Sequence, residues 1–203
     1  MSRPVRLLRC LLPCVVLLMA LIGAIGPVEA ASPTPPGQKP SPTVAEAQPP
    51  GLGLRFRYPA GWTVARVDGH TVLVSGPQGT EDWLTTLTIS NQELPAAGGA
   101  DQKAGAMITD YLAAIRARSG QHEVLQEAPF QFEGSGPGRG GAQAVVRFQG
   151  DDGPVRQWMV IVPRTDIPVA HVLLYSAPDD AFERGVPVVQ RVLDSLVLLP
   201  ARR

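Results

Sequence analysis

The stretch RFRYPAGWTV, residues 55–64, alternates basic with aromatic side chains, stops at Pro59-Ala60-Gly61 and resumes on Trp62. A period of two places successive side chains on opposite faces of an extended chain, so residues 54–58 read as a strand with one apolar face. Proline denies a sheet its N–H and glycine admits dihedrals closed to other residues, so the chain turns a corner here. A second strand is expected at 62–67. Asp68-Gly69 is then a hairpin turn into a third, 71–75.

Working outward, LTTLTIS at 84–90 is β-branched and alternating, a further strand. The period then changes. Ala104, Met107, Ile108, Tyr111, Leu112 and Ile115 recur at three and four, which predicts an amphipathic helix over 101–118 closed by Gly120. Four strands are expected next, at 123–132, 142–149, 155–162 and 169–176, with a hairpin at Asp151-Asp152-Gly153-Pro154. A closing helix is predicted from Pro187, a residue suited to a first turn, with Val188, Val189, Val192, Leu193 and Leu196 as its apolar face. This order predicts an α+β fold: an antiparallel sheet flanked by helices, in one domain over 52–200.

Upstream of that domain the composition differs. Arg3, Arg6 and Arg9 form a positive region, residues 11–26 are almost wholly apolar, and Val28-Glu29-Ala30 has the small side chains that a signal peptidase reads. Residues 1–30 are therefore read as an export signal. As a helix the apolar run would span only about 24 Å, short of a hydrocarbon core of about 30 Å; an uncleaved anchor is the alternative. Residues 31–51 carry prolines at 33, 35, 36, 40, 42, 49 and 50 and no aromatic residue, the composition of a disordered, proline-rich spacer.

Both cysteines, Cys10 and Cys14, precede the bulk of the apolar run, so the order does not fit a lipidation signal, and the chain from Ala31 holds no thiol. The 18 basic and 18 acidic residues balance; without Arg3, Arg6, Arg9 and Glu29 they stand at 15 and 17. So slight a net charge argues against nucleic acid as a partner and against binding to anionic lipid. Membrane contact is expected only if the N-terminal segment stays uncleaved.

Several motifs invite a chemical reading. In GSGPGRGG, 134–141, Gly136, Gly138 and Gly141 match the spacing of a dinucleotide fingerprint. Such a loop must end in a helix whose free N–H groups face phosphate, whereas this one runs into the strand AQAVVRFQ. It is read as a flexible hairpin connection. His70, His122 and His171 stand alone, each without a second ligand at helical or strand spacing, so no metal site is expected and the three are read as turn or surface residues. Asp151-Asp152 suits a hairpin, Asp179-Asp180 the capping of a helix, and Glu81-Asp82 a loop end. Ser135 lacks the glycine frame of a nucleophile elbow, as do Ser75 and Ser176. Trp62, Trp83 and Trp158 are all expected to pack inward.

The corner itself carries a resemblance. An exported chain with a proline-rich spacer and an aromatic-x-Tyr-Pro-x-x-Trp opening, here Phe56, Tyr58, Pro59 and Trp62, resembles the PsbP-like superfamily. That group includes the extrinsic photosystem II subunit, DcrB-type envelope lipoproteins and a nuclear Ran-binding factor. A closing helix ending near Asp-Ser-Leu is also typical, matched by Asp194, Ser195 and Leu196. The resemblance covers 52–199 and implies an α/β/α sandwich acting as an assembly or binding factor, with no enzyme activity and no cofactor. The matching positions are structural, so no catalytic, cofactor-binding or metal residue is carried over. The expected function is an exported accessory protein, periplasmic or secreted, with a protein partner in the cell envelope. The alternative is an extracytoplasmic hydrolase whose site is assembled only in three dimensions.

Overall fold

A computed structural model describes residues 44–119 and 122–201. The export signal, the spacer as far as residue 43 and Gly120 lie outside the described residues. The elements run β1 (Val44–Ala47), β2 (Leu54–Pro59), β3 (Thr63–Arg66), β4 (Thr71–Ser75), a 3-10 turn (Glu81–Leu84) and β5 (Thr86–Glu93). After them come α1 (Ala100–Ser119), β6 (His122–Phe130), β7 (Gly141–Gly150), β8 (Gly153–Pro163), β9 (Val169–Pro178), α2 (Phe182–Asp194) and β10 (Val197–Leu198).

Seven strands form one antiparallel sheet in the order β3-β4-β5-β9-β8-β7-β6, and three form a second in the order β1-β2-β10. The opening stretch explains the split. In β2, Leu54 and Phe56 are buried while Arg55 and Arg57 point out, the alternation that the sequence dictates. At the corner Gly61 takes φ +88, and the Trp62 N–H donates to the Pro59 carbonyl at 3.2 Å. The chain thereby leaves the small sheet and enters the edge of the large one.

Two layers flank the large sheet. On one face Ala104 and Ile108 of α1 pack on Ala144, Met159, Ile161, Ala170 and Val172. On the other, α2 and β2 bury Val189, Val192, Leu193, Leu54 and Phe56 against Val160, Leu173, Tyr175, Leu87 and Ile89. Neighbours Val160 and Ile161 thus serve opposite layers, as an antiparallel strand buried on both faces requires. Gln157, a polar side chain in this interior, is satisfied on both sides: Tyr111 Oη donates to its Oε1 at 2.6 Å, and its Nε2 donates to Ser176 Oγ at 3.2 Å. The architecture is the expected α+β sandwich, with the small sheet sharing a layer with α2.

Four expectations are corrected. The spacer does not extend to Gly51: Val44–Ala47 pairs with β2, Val44 opposite Pro59, because an edge strand needs only backbone partners and Ala47 finds the apolar core. The strand expected from residue 84 begins at Thr86, and Trp83 sits instead on the 3-10 turn, exposed. The closing helix starts at Phe182, five residues before Pro187, because Phe182 and Gly185 both pack beneath it. Pro187 stands on the solvent side, where the carbonyl left without its usual donor can turn to water. Its first turn is not capped by Asp179 or Asp180; Asp179 pairs instead with Arg156 at 2.7 Å.

Candidate functional site

A shallow groove of about 280 Å³, open to solvent, lies where β1, β2 and the end of α2 meet the loop after β6. Its lining includes Glu46, Arg55, Arg57, Glu133, Ser135 and Asp194. The two arginines are the outward residues of β2, two positions apart and therefore on one face. Glu46 lies 3.8 Å from Arg55, and Asp194 accepts from Gln190 Nε2 at 2.7 Å. Ser195, also in the wall, accepts from the Arg57 N–H and donates to the Val192 carbonyl, each at 2.8 Å. That hydroxyl ties α2 to β2 and is not a free nucleophile. The lining contains no histidine, so neither serine faces a neutral base there.

The glycine-rich loop forms the groove's far side and is not a loose connection. Ser135 bridges Val197 in parallel, and the Leu198 N–H donates to the Ser135 carbonyl at 2.7 Å. Gly136, at φ +101, lies against the Leu198 carbonyl, and Gly138 packs on Phe132 and Leu198. The glycines are there for close backbone approach, not for phosphate. The reading of this loop as a flexible connection is corrected accordingly.

The other singled-out residues are scattered. His70 closes the β3–β4 turn, its N–H donating to Asp68 Oδ1 at 2.7 Å, and His122 opens β6 beside Arg116. His171 is wholly buried in β9, not a surface residue. Asp151 and Asp152 form the two-residue β7–β8 turn, and Glu81 pairs with Arg184 at 2.7 Å. Among the described residues no group of three or more His, Cys, Asp or Glu is placed to hold a metal ion, and no helix is long and apolar enough to cross a membrane. Trp158 is buried and Trp62 packs at the core margin.

Trp83 breaks that pattern. It is 40% exposed and its neighbour Leu84 47%. The turn that carries them is held at several points: Thr80 Oγ1 donates to the Pro77 carbonyl at 2.6 Å, the Trp83 N–H to the Thr80 carbonyl at 3.1 Å, and the Thr85 N–H to the Asp82 carbonyl at 3.0 Å. Gly76 passes directly against Asp82, where a side chain would collide. Two large apolar side chains are thus presented to solvent on a fixed backbone, flanked by Glu81 and Asp82.

A polar cluster lies at the β8–β9 turn. Arg164, its side chain only 2% exposed, donates to both carboxylate oxygens of Asp166 at 2.8 and 2.7 Å, to the Gly53 carbonyl at 3.2 Å and to the Leu199 carbonyl. Its Nη1 lies 3.4 Å from His171 Nε2, and His171 Nδ1 lies 2.7 Å from Asn91 Oδ1. Donation by Arg164 holds the Asp166 carboxyl well below the usual carboxylate range. Burial first, then the guanidinium, pushes His171 down to about 4.

No family model and no curated protein matches the chain. Solved structures do. Cyanobacterial PsbP from Synechocystis superposes with a TM-score of 0.53 at 15% identity, over 86% of this chain and 97% of that one. The Ran-binding protein Mog1p of Saccharomyces cerevisiae gives 0.56 at 12% identity, over 79% and 97%. A Pseudomonas aeruginosa protein of unknown function, described as a putative regulator, gives 0.51 at 11% identity, over 73% and 92%.

The chain has the PsbP/Mog1-like fold.

Within this PsbP/Mog1-like domain the residues that carried the resemblance have structural work. Phe56 and Tyr58 lie 6.0 Å apart at the small sheet's inner face, Pro59 ends β2, and Ser195 stitches the end of α2 to Arg57. What sequence reading missed in the domain was the Trp83–Leu84 turn and the Arg164 cluster. The first carried a signal, since Gly76-Pro77-Gln78-Gly79-Thr80 is turn-rich and places Trp83 close after it. The second carried none, because its members come from five separate segments.

Proposed function

We propose that this chain is an exported, non-catalytic accessory protein that docks on a protein complex of the cell envelope. The observation that carries the reading is the Trp83–Leu84 pair, held outward on a braced turn. A little under half of each side chain remains in water, so a partner's surface can still recover a part of the about 1.5–3 kcal/mol that full burial of a large apolar side chain contributes. Tryptophan is also prominent among the residues that dominate protein interfaces. With Glu81 paired to Arg184, Asp82 is the flanking charge that opposes an anionic lipid surface and favours a partner whose apolar pocket has a basic rim. The yeast neighbour is a Ran-binding protein, so the fold can present a surface for protein recognition.

The competing hydrolase reading rests on Glu46, Glu133 and Asp194 around the groove, since paired carboxylates can cleave glycosides. One experiment separates the two. A photo-crosslinking residue at Gln78, beside the turn, should capture an envelope protein, and Leu84→Asp should abolish the capture without changing the melting temperature. Turnover of a glycoside or ester by the pure protein, lost in Glu133→Gln and retained in Leu84→Asp, would replace docking with catalysis.

A further inference from the structure

We infer that the Asn91–His171–Arg164–Asp166 cluster is a proton-sensitive latch that holds β10 and residues 51–53 against the large sheet. The latch is a property of the fold and stands apart from the docking reading. Its geometry defines which state of His171 is compatible with closure. A guanidinium has donors only, so the Nη1 of Arg164, 3.4 Å from Nε2, requires that nitrogen to be the acceptor. The ring proton then sits on Nδ1 and is donated to Asn91 Oδ1 at 2.7 Å. A second proton can enter only at Nε2, where it would face the donors of a buried cation.

The segments so held are distant in sequence. Arg164 donates to the carbonyls of Gly53 and Leu199, Asp166 Oδ2 accepts from the Ala201 N–H at 2.9 Å, and Asn91 Nδ2 reaches the carbonyls of Gly51 and Leu52 at 3.2 Å each. The Leu199 N–H in turn donates to the Gly53 carbonyl at 2.8 Å, so both segments share one anchorage. The charged groups acting on the ring are Arg164 and Asp166, both in the β8–β9 turn. The opposing β5 side chain is the uncharged Asn91, and Val162 lies across in β8. Asp166 favours the cation, but it is committed to Arg164, and the net effect of burial and the guanidinium disfavours the second proton.

Acid should therefore open the latch. An opened ring takes its proton near the ordinary value of 6.5, whereas the closed ring resists until about 4. Between those values the opening equilibrium rises by roughly a hundredfold. The first place to respond is β10, only two residues long and a wall of the groove, ahead of the seven-stranded sheet.

Amide hydrogen exchange on the full domain, corrected for intrinsic rates, tests this. Protection at Leu198 and Leu199 should fall by roughly a hundredfold from about pH 6.5 to about pH 4, while Val160 and Leu173 hold theirs. In His171→Gln the Leu198 and Leu199 protection should be flat with pH. Equal loss across the whole sheet, or the same pH dependence in the variant, would overturn the latch. Should His171→Gln fail to fold, nitrogen-15 shifts of the wild-type ring decide. A neutral ring with its proton on Nδ1 at pH 7 is required, and a proton on Nε2 excludes the mechanism.

Discussion

Gly185 passes beneath Tyr175 so closely that a Cβ there would overlap the phenol oxygen. The phenol cannot retreat, because it is wholly buried, donates to the Phe182 carbonyl at 2.8 Å and stacks on the Phe182 ring at 4.8 Å. Gly185→Ala would gain about 1 kcal/mol of helix propensity but incur an overpacking cost of about 1–3 kcal/mol. The clash should prevail: urea denaturation should show net destabilisation of up to about 2 kcal/mol, shrinking when Tyr175→Phe removes the oxygen. A second prediction at this scale concerns His171. Its folded value, about 4, lies below the unfolded 6.5, so the unfolded chain takes the proton first. Stability is full above pH 6.5 and is lost as pH falls toward 4, by up to about 3 kcal/mol, with the loss absent in His171→Gln. Denaturant midpoints across that range check it.

Among the elements, the loop between β6 and β7 shows how a flexible-looking composition can specify tight packing. GSGPGRGG reads as a connection to be shortened at will, but its glycines lie against the Leu198 carbonyl, Phe132 and the Ile161 carbonyl. Gly136→Ala meets both a positive φ and a backbone oxygen, so it should cost more than about 2 kcal/mol in an equilibrium unfolding experiment. Replacing the loop by a two-residue turn should detach β10, whose Leu198 N–H bonds to Ser135. Strand β1 is the opposite case. It adds to β2 through four residues with the Glu46–Arg55 pair at 3.8 Å, both side chains half in water, and such a pair contributes little.

For the whole molecule, the proposed docking surface and the folding core are separable. Leu84→Asp changes a side chain about half in water and outside the hydrophobic core, so calorimetry should find stability within about 0.5 kcal/mol of wild type, whereas Trp83→Ala also removes the covered part of its ring and should cost more. Loss of partner capture together with that unchanged stability is the expected signature. We propose cleavage after Ala30; the secreted protein should then begin Ala31-Ser32 on N-terminal sequencing, and recovery of Met1 in membranes would establish an anchor instead. Much of this molecule was legible in its residues. The alternation of Leu54, Arg55, Phe56 and Arg57, the turns at Asp68-Gly69 and Asp151-Asp152, and the spacing of Ala104, Ile108 and Ile115 are local codes, written within one or two turns of chain. They determine which face of each element is apolar, and from that the α+β class. Tertiary structure alone decided that β2 leaves the large sheet, that Trp83 faces outward, and that Arg164 reaches Gly53 and Leu199. Those outcomes depend on backbone groups brought together across 111 and 35 positions, and a carbonyl has no residue type by which a sequence could announce it.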